Sequence, residues 1–175
     1  VYCVKDGIPA NLALLHGQAG KERTMKLAEA LAERSDCQTR IEELKKRMIR
    51  SARVQEGDKP AEDVSELLAE SERIFARLNE LISAINRTNA HTAFNAKQTI
   101  SDAISERDIT AKRRDFLSTI AEAASTRQDR YTKSEVKFVA SVSISTLQAE
   151  VDRLSKHYRE LDTRLQELNW MTALI

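Results

Sequence analysis

Leu27-Ala-Glu-Ala-Leu-Ala-Glu-Arg-Ser-Asp-Cys-Gln-Thr-Arg-Ile-Glu-Glu-Leu-Lys-Lys-Arg-Met48 carries the clearest structural signal in the chain. Leu27, Ala30, Arg34, Cys37, Ile41, Leu44 and Met48 recur at alternating steps of three and four, which lines them along one stripe of an α-helix. Such a stripe is a seam for a second helix. Arg34 is its one charged position; its stem can cover the seam while the guanidinium reaches water. Glu42 with Lys46, and Glu43 with Arg47, stand four apart in the favourable order, so the charged run reads as a solvated face.

After Val54, Gln55-Glu-Gly-Asp-Lys-Pro60 breaks the pattern. Gly57 can stop the first helix in a left-handed conformation and Pro60 can open the next in its first turn. Val64, Leu67, Ser71, Ile74, Leu78, Leu81 and Ile85 then repeat the alternation over the same length, predicting an antiparallel hairpin with Met48 facing Val64 and Ile41 near Ser71. Residues 86–98 lose the period and fill with Asn and Thr, which compete for backbone hydrogen bonds, so they read as a loop.

Thr99 followed by Asp102 predicts a cap for a third helix reaching Ala124, with Ile100, Ile104, Ala111, Phe116, Leu117, Ile120 and Ala124 as its apolar set. Val136, Phe138, Ala140, Val142 and Ile144 alternate with partners, indicating a short β segment near 135–144. Ser145 or Thr146 can cap a last helix carrying Leu147, Val151, Leu154, Tyr158, Leu161, Leu165 and Leu168 and ending near Trp170. The expected fold is mainly α: a long antiparallel helical hairpin plus two further helices in a coiled-coil-like bundle, with one β segment.

Three of the four glycines, Gly7, Gly17 and Gly20, lie before residue 25, where no period is sustained. Lys21-Glu22 can be encoded by a purine-rich stretch resembling a ribosome-binding site just ahead of Met25. Residues 1–24 therefore read as a translated leader or a disordered arm, and 25–175 as a single helical domain. The 175 residues carry 28 basic and 27 acidic side chains, a net charge of +1. That balance argues against nonspecific attraction to nucleic acid or anionic lipid. No apolar run approaches the roughly 20 residues that span a bilayer. Two cysteines, Cys3 and Cys37, make no disulfide framework and fit a reducing compartment, so a cytoplasmic location is expected. An unpaired strand needs a covering partner, and long stripes leave apolar surface to spare; the expectation is a homo-oligomer through helix seams and the 135–144 segment.

No glycine-rich phosphate loop, paired zinc ligands or Glu-x-x-His pair occurs in the body, so no cofactor and no metal are expected. His91 reads as a loop residue, His157 as a polar neighbour of Tyr158, and Cys37 as a small apolar group in the seam. Lys112-Arg113-Arg114 is the strongest basic cluster, flanked by Asp108 and Asp115, and reads as a solvated face. The least ordinary residues are Asn86, Arg87 and Asn89, then Arg127, Asp129, Arg130 and Tyr131, then Asn169 and Trp170. Together they would offer arginine forks and amides to an anion or a small polar ligand; apart, they cap helix ends.

Met25-Lys-Leu-Ala-Glu-Ala-Leu31, Ala52-Arg-Val-Gln-Glu-Gly57, Ile85-Asn-Arg-Thr-Asn89, Arg127-Gln-Asp-Arg-Tyr131, Arg159-Glu-Leu-Asp162 and Gln166-Glu-Leu-Asn-Trp170 resemble the septicolysin-like proteins of bacteria. The resemblance runs over residues 25–175. It implies a small helical protein, and the family name implies a cytolysin; it carries no catalytic residues with it. Three functions are thus in play: a non-enzymatic, self-associating structural or interaction protein, a membrane-active cytolysin, or a ligand-binding protein or enzyme using the arginine-rich loops.

Overall fold

A computed structural model describes residues 24–125 and 139–175. Four α-helices follow one another: α1 Leu27–Ser51, α2 Val64–His91, α3 Ile100–Ser125 and α4 Ile144–Met171. The protein is mainly helical, as its periodicity dictates.

α1 packs along α2 and α3 along α4, whereas α1 with α4 and α2 with α3 touch over much shorter stretches. The reason is where the apolar residues sit. Leu27 and Ala30 from the start of α1, Leu81 and Ile85 from the end of α2, Ile100 and Ala103 from the start of α3, and Leu165 from the end of α4 form one buried cluster. All four helices meet there, in a base. Beyond it the hairpins continue as two arms with thin cores of their own, Leu44 with Leu67 in the first, Leu154 and Leu161 with Thr110 and Ala121 in the second.

The α1–α2 register is marked by three ion pairs. Arg77 donates to Glu33 at 2.7 Å, Arg40 to Glu70 at 2.7 Å, and Arg47 contacts Glu62. Glu33, Arg40 and Arg47 are seven residues apart along α1, so the pairs form a ladder on one flank of the hairpin. Half-exposed pairs of this kind contribute about 0–1 kcal/mol each, so they serve register more than stability. The ladder also redirects the expected pairs within α1: Glu43 pairs with Arg40 and Glu42 with Lys45, while Arg47 crosses to Glu62.

Several boundaries differ from the sequence reading. Gly57 does adopt positive φ, at 94°, but within a turn closed by Asp58 N–H to the Gln55 carbonyl, six residues past the end of α1. Pro60 precedes α2 rather than opening it; Asp63 caps α2 by accepting from Ser65 N–H. Residues 86–91 are helical, not loop. Thr88 is fully buried, donates to the Ala84 carbonyl and accepts from Ile175 N–H, so tertiary contact outweighs weak propensity there. In the 135–144 segment, residues 139–143 form no strand and Ile144 begins α4; residues 135–138 lie outside the described residues. Val139 and Val142 are exposed, so the alternation has no buried face to serve. Ser143, not Ser145 or Thr146, caps α4.

Thr99 and Asp102 cap α3 reciprocally: each main-chain N–H donates to the other's side chain, at 2.9 and 3.2 Å. The chain end is stitched to the base. Leu27 N–H donates to the Thr172 carbonyl, Leu174 N–H to the Met25 carbonyl, and Lys26 pairs with Ala173 in an antiparallel bridge.

Candidate functional site

The loop residues singled out by sequence fall into two places. Asn86, Arg87 and Asn89 lie in the last turns of α2, and Asn169 and Trp170 in the last turn of α4, both at the base end. Asn86, Arg87 and Trp170 are exposed, and no hydrogen bond links the two groups. Arg127, Asp129, Arg130 and Tyr131 lie outside the described residues.

Polar chemistry gathers instead along α3 and α4. His157 Nε2 lies 2.9 Å from Glu106, whose other carboxylate oxygen accepts from the Gln98 amide at 2.9 Å. Those hydrogen bonds, the Gln98 one foremost, hold the Glu106 carboxyl below its ordinary pKa. Next to Glu106, Arg107 bridges Asp108 and Asp162, and two turns further along α3 Arg114 lies over the Tyr158 ring, 5.5 Å from its centroid. His157 and Glu106 are both more than a third exposed. The chain Gln98–Glu106–His157 ties the α2–α3 connection to α4, a cross-brace that needs no ligand.

A depression of about 220 Å³ lies between α3 and α4, lined by Ser118, Ala121, Glu122, Gln148, Val151 and Asp152. It is smaller than the roughly 300–1,000 Å³ of most small-molecule sites. Among the described residues no group of His, Cys, Asp and Glu is arranged to hold a metal ion, and no helix is long and apolar enough to cross a membrane.

The conspicuous feature is on the outside. Leu68, Phe75 and Ile82 are 47, 49 and 39% exposed and recur every seven residues along α2. Ile109 and Phe116 are 62 and 66% exposed at the same interval on α3. Phe116 was expected in the α3 core, but Ala103, Thr110 and Ala121 fill that face. On α2, Leu68, Phe75 and Ile82 each follow an α1-facing residue by one position, whereas Glu70 and Arg77 each precede one. The apolar row and the ion-pair ladder therefore lie on opposite flanks of the α1 contact.

Fold and surface together define a four-helix scaffold, two hairpins on a shared base, displaying apolar rows at coiled-coil spacing. The chain belongs to a family of unknown function, DUF6847, which matches residues 34–174. It is similar to the crystal structure of a functionally unknown conserved protein from Corynebacterium diphtheriae, at 44% identity and a TM-score of 0.83, over 87% of this chain and 99% of that one. No curated protein matches it.

Proposed function

We propose that this protein is a non-enzymatic helical interaction module that associates with copies of itself. The observation that carries the reading is the pair of heptad-spaced apolar rows left on the surface, Leu68–Phe75–Ile82 and Ile109–Phe116. The seam residues of α1 and α2 are consumed within the hairpin, Leu44, Leu67 and Leu81 being buried. The rows outside the seams remain for a partner helix, because a row repeating every seven residues fits another helix along its length. The resemblance to septicolysin-like proteins enters this reading as shared helical architecture, in the cytoplasm of a bacterium.

Light scattering coupled to size exclusion tests it: a mass of two or more chains is expected, and a monomer across a broad concentration range would refute it. The cytolytic alternative gives a separate readout. The purified protein is expected to leave dye-loaded liposomes intact, and dose-dependent release would replace this reading with the membrane-active one.

A further inference from the structure

Resting on that proposal of self-association, we infer that its contact is made by α2 of one copy lying parallel to α3 of a second copy. Spacing is the first argument. Setting Leu68 against Ile109 brings Phe75 against Phe116 and Ile82 against Ala123, three layers in step, because each row repeats every seven residues.

Charge is the second. Glu72, four residues beyond Leu68, and Lys112, three beyond Ile109, flank their rows on opposite sides. In a parallel pair those opposite flanks meet, so Glu72 of one copy comes beside Lys112 of the other. Both side chains are exposed, and neither has an ion-pair partner among the described residues. An α2–α2 pairing lacks this match, since no lysine or arginine flanks the row beside Leu68 or Phe75 on the Glu72 side.

Symmetry is the third. α2 and α3 run in opposite directions within one chain, so a parallel α2–α3 contact sets the bases at opposite ends and repeats itself about a twofold axis.

Sedimentation velocity on the full chain and its variants tests the arrangement, with circular dichroism confirming that the exposed substitutions leave the fold intact. Phe75→Glu and Phe116→Glu are each expected to weaken association roughly thirtyfold or more, as central apolar anchors do. Glu72→Lys and Lys112→Glu alone should each weaken it, and the double exchange should restore it. A wild-type chain that is monomeric overturns this arrangement and the self-association reading together. A wild-type oligomer indifferent to Phe75→Glu and Phe116→Glu overturns this arrangement alone and places the contact elsewhere. Additive losses in the double exchange, with no restoration, likewise exclude the parallel register.

Discussion

Arg34 shows what a pattern of apolar positions leaves out. Its place in the seam follows from spacing, but the pattern says nothing of its Nε, which is enclosed without a hydrogen-bond partner. A buried donor left unpaired costs about 1–3 kcal/mol, so Arg34→Met, which keeps the stem and removes the polar atom, should stabilise the protein by about 1 kcal/mol. Urea unfolding measures it; a lower midpoint would show that the guanidinium is needed. Cys37 behaves as its position in the stripe dictates, packing against the base core as a free thiol. His157 was legible only as a polar neighbour of Tyr158, because its partner Glu106 is 51 residues away and no local spacing encodes the pairing.

Helices were readable where a regular apolar stripe packs against a neighbouring helix. α1 and α2 carry strict three-four stripes, and their register lies two to three residues from that set by the turn, as Arg40–Glu70 and Arg47–Glu62 show. α3 was harder, since its buried face uses Ala103, Thr110 and Ala121, small or polar residues that a hydrophobic pattern passes over. The end of α2 was misjudged for a related reason: Thr88 is held by the chain end, which lies 87 residues away. Caps follow local rules and separate the two regions of the molecule. Thr99→Ala removes a cap at the base and should lower the global unfolding free energy by about 1 kcal/mol. Asp63→Ala removes one at an arm tip, so its main effect should be faster local hydrogen exchange near Ser65–Leu67 with little change in global unfolding. Equal effects of the two on global unfolding would contradict the division into base and arms.

For the molecule as a whole, burial concentrated at one end predicts graded stability. Amides around Ile85, Ile100 and Leu165 should exchange slowest and those in the last turn of α1 and the first of α2 fastest. Uniform protection along α2 would count against it. Acid should weaken the fold as well. Glu33, Glu62, Glu106 and Glu150 are held below their ordinary value of 4.5, chiefly by hydrogen bonds from Arg77, Arg47, Gln98 and Arg153 respectively, and Asp102 below 3.8 by the Thr99 main chain. A depressed carboxyl pKa contributes stability that is complete above the unfolded value and lost as pH falls through the folded one. The melting temperature should therefore decline as pH drops below about 4.5, and calorimetry showing none of this would remove these carboxylates from the stability account.

Among the described residues the two hairpins share one buried cluster, at their base, which makes each arm a lever. α1 has 25 residues and so extends roughly 37 Å, and a tilt of about 5° where Ala30 enters the base cluster, as Ala103 does on α3, would swing its far end by about 3 Å. Side-chain volume at two small buried positions thereby governs the span between distant tips, and a methyl group added at the hinge is amplified at the far end.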